Sequence, residues 1–194
     1  IGKKLPEEKL KDRISMLGTD LEDVTDDEIT VEIFPNRPDM LSEQGFGRAL
    51  SSFIGVKTGL QKFEVKKSNE KVYVTKGMDK IRPFTVCALI KNLKLDDEKI
   101  REIIQIQEKL HITFCRRRKK AAIGIYPLEK IKLPITFTHK KPEEIIFRPL
   151  EGKKEINANE ILLQHPTGIK YKHLVKGLNE YALFHGANNE VLSF

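Results

Sequence analysis

Gln107 and Glu108 occupy positions that invite chemistry. The spacing predicts a helix over Leu95–Leu110, with Ile100, Ile103 and Ile104 forming its apolar stripe. Gln107 falls four residues after Ile103, and Glu108 four after Ile104, so both continue that stripe. Polar groups there either fray into solvent or find partners and line a cavity, and periodicity leaves both readings open. Just beyond comes Arg116-Arg117-Arg118-Lys119-Lys120. Five successive cations either attract phosphates without reading bases or form a solvated basic turn. Cys115, beside the arginines, reads either as a reactive thiolate or as an inert buried thiol.

Other chemistries are absent. The chain has no G-x-x-x-x-G-K-[ST] or G-x-G-x-x-G loop, no H-E-x-x-H and no C-x-x-C. Its histidines, His111, His139, His165, His173 and His185, show no metal-like pairing, and Cys87 and Cys115 make no zinc set, so no metal site is expected. No Ser-His-Asp arrangement can be argued. No apolar run approaches the roughly 18 residues of a membrane span, and no leader pattern is present. These features, with two unpaired cysteines, lead us to expect a reduced, cytoplasmic protein without a membrane partner.

The elements that must position these residues fall into two parts. Of 194 residues, 39% are hydrophobic and 32% charged, enough apolar material for a core. The net charge of +7 is uneven: residues 1–70 carry 11 Lys/Arg against 14 Asp/Glu, and the remainder 24 against 14. A polyanion partner for the second part follows. Residues 1–70 read as a small α+β module. It has a helix over Leu5–Leu17 stopped by Gly18, an acidic loop over Asp20–Glu28, a strand over Thr30–Phe34 and a rigid Pro35–Asp39 turn. A helix bearing Phe46, Ala49, Leu50 and Phe53 follows, in which Gly45, Gly47 and Ala49 would allow close backbone approach. Residues 71–194 read as a mixed sheet with helices. Strands are expected at Val72–Thr75, Phe84–Ile90, Ala121–Tyr126, Ile131–Phe137, Glu144–Phe147 and Glu190–Phe194. Asn157 and Glu160 form a capping box opening a helix to Gln164, and Ile169–Val175 reads as another helical turn. The fold class is α+β, or mixed α/β. A start at Ile1 and a strand running flush to Phe194 suggest a piece of a longer chain.

Four segments in order carry a resemblance. The first is Phe34-Pro35-Asn36-Arg37-Pro38-Asp39-Met40-Leu41-Ser42 with Gly45-Phe46-Gly47-Arg48-Ala49-Leu50. Arg117–Tyr126 is the second, and Leu133–Phe137 with Phe147-Arg148-Pro149-Leu150 the third. The last is His165-Pro166-Thr167-Gly168 with Tyr171 and Val191-Leu192-Ser193-Phe194. Together they resemble the phenylalanyl-tRNA synthetase β subunit of the archaeal/eukaryal branch, and the Pro-Asn-Arg-Pro-Asp form points to archaea. The resemblance implies a small N-terminal module followed by most of the editing domain, which hydrolyses tyrosine wrongly attached to tRNA(Phe). It implies an α subunit as partner in an α2β2 enzyme, and tRNA(Phe). ATP and magnesium would serve the parent synthetase and not this region. The family chain continues past Leu-Ser-Phe to an asparagine central to editing.

Residue roles carried over by that resemblance are as follows. Gln107, Glu108 and Arg118 match positions near the scissile ester, which favours cavity lining over fraying. Leu150 matches a position packing on the terminal adenosine, and Ser193 one facing the tyrosine hydroxyl. Leu183 or Phe184 would fill the side-chain pocket, where Tyr181–Gly186 departs from the usual aliphatic-Asp run. Arg116, Arg117, Lys119 and Lys120 would contact tRNA. The competing readings are a non-catalytic tRNA-binding module and a subunit-interface module.

Overall fold

The computed structural model describes residues 1–194. The chain forms two compact units, residues 1–64 with 93–123 and residues 65–92 with 124–194.

The first unit begins with α1, Glu7–Met16. Pro6 precedes it with φ −57°, and Glu7 and Glu8 complement its N-terminal dipole. Its apolar face centres on Ile14, 1% exposed, and Gly18 ends it at φ +86°. The Thr19 hydroxyl donates to the Ile14 carbonyl at 2.9 Å. β1, Asp20–Val24, pairs antiparallel with β2, Ile29–Glu32, placing Leu21 opposite Val31. The acidic stretch expected as a loop therefore begins as a strand. Its carboxylates all stay exposed on a two-stranded ribbon, so acidity costs no burial.

α2, Glu43–Phe53, starts at Ser42, whose hydroxyl accepts from the Gly45 amide at 3.0 Å. Before it, the Pro35–Asp39 turn is braced by a two-pronged contact. Arg37 Nε and Nη2 donate to the two Asp39 oxygens at 3.0 and 2.9 Å. Gly45 is required here, since a Cβ would run into the Asp39 carbonyl oxygen. Gly47 faces open space, so the expected close approach belongs to Gly45.

The second unit is built on a four-stranded sheet. β3, Val72–Val74, is followed by the short α3, Met78–Ile81. In the first unit lies α4, Asp97–Ile112, capped by Asp96, which accepts from the Lys99 amide at 2.9 Å. The chain then supplies β4, Ile135–Lys140, β5, Ile146–Phe147, and β6, Ile156–Asn157. α5, Ala158–Gln164, α6, Pro166–Tyr171, β7, Tyr181–His185, and β8, Val191–Ser193, complete it. The sheet order is β3-β4-β7-β8, with β3 parallel to β4 and the other pairs antiparallel. β5 and β6 form a separate antiparallel pair. The fold is mixed α/β, as expected. The Asn157–Glu160 capping box is present, with bonds of 3.0 Å in both directions.

The core of this unit is Ile145, Ala158, Tyr181 and Leu183, with Phe147, Leu162, Val175, Val191 and Phe194 packed against it. Helices α5 and α6 meet at Gly168, where a Cβ would collide with the Ile161 carbonyl. Two expected strands do not form. Phe84–Ile90 and Ala121–Tyr126 have no ladder partner, and Phe84 and Val86 are 89% and 97% exposed. Conversely, Tyr181–His185, noted in the sequence only as a departure from the resembled pattern, is a central strand.

Candidate functional site

In the first unit, α4 places Gln107, Glu108 and His111 within one helical turn. The isoleucine stripe before them is not buried: Ile100 and Ile104 are 42% and 52% exposed. The residue that α4 buries is His111, 1% exposed. After Ile112 the chain reverses sharply. Arg116, Arg117 and Arg118 stand at φ +51°, +53° and +65°, three successive non-glycine residues in left-handed backbone. Each costs roughly 1–2 kcal/mol. Amide bonds to the helix end offset this: Arg116 to the Thr113 carbonyl at 2.9 Å, Arg118 to His111 at 3.2 Å, and Lys120 to Cys115 at 3.0 Å. Cys115, 2% exposed, anchors the reversal from inside, which settles it as a buried thiol.

This reversal returns Arg118 to α4, where its Nη2 donates to Glu108 Oε1. The same oxygen lies 3.1 Å from His111 Nδ1. On the ring's other side, the Ile123 amide donates to His111 Nε2 at 2.8 Å. Nε2 must therefore carry a lone pair, so the ring hydrogen sits on Nδ1 and donates to Glu108. Gln107 Nε2 donates to the Ile123 carbonyl at 2.6 Å. Ile123 is thus gripped at both backbone groups by α4 side chains. This accounts for the missing Ala121–Tyr126 strand at that residue: its N–H and C=O are already spent on side chains.

The structure joins Arg118 to Glu108 and ties Gln107 to Ile123; His111, which the sequence did not single out for this network, links Glu108 to Ile123. The signal was present, since His111 lies three residues after Glu108 and four after Gln107. Partial burial pushes the Glu108 carboxyl up. The His111 and Arg118 hydrogen bonds and the Arg118 charge outweigh it, holding it below the ordinary carboxylate range. A carboxylate so held is a weak proton acceptor, because base strength falls with pKa. The arrangement suits Glu108 to fixing the Arg118 guanidinium, which is 20% exposed, more than to abstracting a proton.

The remaining sequence-derived residues lie in the second unit, where the strand registers sort them. Val74, Phe137, Phe184 and Ser193 pair in succession across all four strands and so form one row on one sheet face. Phe137 and Phe184 stack at 4.3 Å. Leu183 points to the opposite face and is core, 2% exposed. Of the two side-chain-pocket candidates, only Phe184 shares a face with Ser193. Leu150 is 85% exposed, and its carbonyl lies 2.9 Å from His165 Nε2. Beside it a cavity of about 220 Å³ is lined by Pro149, Gly152, Lys153, Lys154, Gln164 and His165.

No family model matches the chain. Relatives do. The chain is 37% identical over 193 residues to the phenylalanine–tRNA ligase β subunit of Methanosphaera stadtmanae, covering 100% of this chain and 34% of that protein. The β subunit of Pyrococcus horikoshii is 38% identical over 198 residues, covering 100% and 35%. A crystal structure of an N-terminal fragment of the phenylalanyl-tRNA synthetase β subunit from P. horikoshii superposes with a TM-score of 0.86 at 37% identity. It covers 99% of this chain and 56% of that one. The chain belongs to the archaeal/eukaryal-type phenylalanyl-tRNA synthetase β-subunit family. It corresponds to the family's N-terminal region and spans about a third of the length of the relatives it matches. The His165-Pro166-Thr167-Gly168 segment has a structural reason: Pro166 opens α6, and Gly168 lets it touch α5. No helix of this family member is long and apolar enough to cross a membrane.

Proposed function

We propose that this chain supplies editing function to a phenylalanyl-tRNA synthetase, hydrolysing the ester of tyrosine misattached to tRNA(Phe). The observation that supports it is the Gln107–Glu108–His111–Arg118 network closed on Ile123. In this reading water attacks the ester carbonyl, the carbonyl–ribose oxygen bond breaks, and tyrosine and tRNA leave. No side-chain nucleophile is needed. Arg118, its guanidinium aimed by Glu108, stabilises the oxyanion that develops in the transition state. Gln107 orients the reacting groups. Glu108 and His111 are positioning residues, acting through Arg118 and through the backbone at Ile123.

Within the second unit, taken by itself, the Phe184–Ser193 row is the candidate for recognising a tyrosine hydroxyl. A site built to hydrogen-bond a hydroxyl rejects the analogue lacking it by roughly 10⁴–10⁵, because its polar group would stay unpaired. Ser193 offers that hydroxyl, and Leu150 offers exposed apolar surface for the terminal adenosine. Arg116, Arg117, Lys119 and Lys120 contact tRNA phosphates. The partner is the synthetase α subunit, and the segment assigned to editing is residues 71–194, which contributes to both compact units. The carboxylate cluster Asp20, Glu22 and Glu32 is exposed, and no step of this proposal is routed through it.

The test is deacylation of Tyr-tRNA(Phe) by the full-length β subunit in the assembled enzyme. Arg118→Ala should slow it about 10²- to 10³-fold, the usual scale for losing an oxyanion donor, and Gln107→Ala should slow it measurably through lost orientation. Wild-type rates in both variants would sink the assignment. The basic turn favours a second reading, tRNA binding without hydrolysis, which the same assay separates: Tyr-tRNA(Phe) would then be bound but never deacylated.

A further inference from the structure

Phe114 follows α4 at the start of the basic reversal and is 53% exposed. The ammonium of Lys120 sits 4.1 Å from its ring centroid. This contact comes from the backbone path: the left-handed run Arg116–Arg118 folds the chain back, and the Lys120 amide bonds the Cys115 carbonyl. In the same turn Arg116, Arg117, Lys119 and Lys120 are all exposed, whereas Cys115 is buried. Exposed aromatic surface on a strongly cationic turn gains little from folding. Local backbone strain at such a place calls for a functional reason.

The combination matches what unpaired nucleic acid needs. Cations track the phosphates, and an aromatic face stacks a base, since every base has a π-face. A duplex or a simple polyanion would use the cations alone. We propose that Phe114 is the stacking platform for one unpaired base of the bound RNA. Lys120 braces one side of the ring, while Arg116, Arg117 and Lys119 hold the flanking phosphates. This rests on the reading of the chain as a tRNA-handling module and not on its hydrolytic roles. Arg118 takes no part in the platform, being engaged with Glu108.

The experiment measures tRNA(Phe) affinity of the full-length β subunit in the assembled enzyme, by anisotropy of end-labelled tRNA over a salt series. Phe114→Leu keeps apolar bulk and removes the π-face, and Phe114→Tyr retains it. Affinity should fall about 5- to 150-fold in Phe114→Leu, the stacking range, with an unchanged salt slope. Phe114→Tyr should match wild type. Arg117→Gln should instead flatten the log–log salt slope by about one. Wild-type affinity in Phe114→Leu would overturn the proposal, as would equal losses in Leu and Tyr or a slope that changes with the ring. Deacylation that persists in Gln107→Ala would defeat the editing reading alone and leave the platform result standing.

Discussion

His111→Leu removes one acceptor and one donor without opening much space, and its effect follows from the bonds described above. The Ile123 amide loses its acceptor at 2.8 Å, and Glu108 loses one of two donors. Leaving a buried donor unmade costs about 1–3 kcal/mol, and the Ile123 amide, part-buried on a residue 37% exposed, falls at the low end, about 1 kcal/mol. The ring is 1% exposed, so water does not replace it without disturbing the helix end. The Glu108 side is 41% exposed, so solvent screens that loss and it adds well under about 1 kcal/mol. The opening equilibrium around Ile123 should therefore rise about 5-fold. Hydrogen–deuterium exchange of the assembled enzyme reads this directly, in the peptide spanning residues 121–126. Gln107→Ala releases the other anchor of the same residue, so the double variant should be non-additive. Identical exchange of that peptide in wild type and His111→Leu would refute the account of Ile123 as a residue held by α4.

Two other outcomes are expected. Because the folded-state carboxyl of Glu108 titrates below its ordinary range, the Arg118 contact is fully present above the ordinary carboxylate pKa. It is lost only as pH falls through the lowered folded value. Protection of the 112–120 peptide should thus stay flat through neutrality and fall in acid, and Glu108→Gln should abolish that acid step. In the second unit, Leu183→Ala should cost about 2–5 kcal/mol in urea unfolding, being a core truncation. Ser193→Ala should stay within about 1 kcal/mol of wild type while losing discrimination between tyrosyl and phenylalanyl esters. Equal destabilisation by the two would contradict the sorting of faces.

Local signals explain what could be read in advance. Helix periodicity and caps located α1, α2 and α4, and the Asn157–Glu160 pair announced α5. β1 was hidden because a solvent-exposed ribbon strand needs no apolar alternation, and DLEDV has the composition of a loop. Phe84–Ile90 has strand-like residues, but propensity cannot supply a ladder partner. The site was half legible. Helical spacing aligned Gln107 and Glu108 but His111 was passed over, and Arg118 reaches Glu108 only through three left-handed residues, none of them the Gly or Asn that usually signals such a turn. The grip on Ile123 spans 12 and 16 residues and leaves no local pattern.

The sheet order carries a consequence for assembly in time. β4, β7 and β8 are joined as antiparallel neighbours, but β3 lies parallel to β4, and Thr75 meets Thr138 across a separation of 63 residues. Closing so long a loop spends chain entropy before any ladder bond repays it. The second unit is therefore expected to collapse around Phe137, Leu183 and Ile145 first, with β3 zipping on afterwards. Truncations at Val72 or Val74 should speed unfolding and leave the folding rate almost untouched, and a slowed folding limb would place β3 in the nucleus instead.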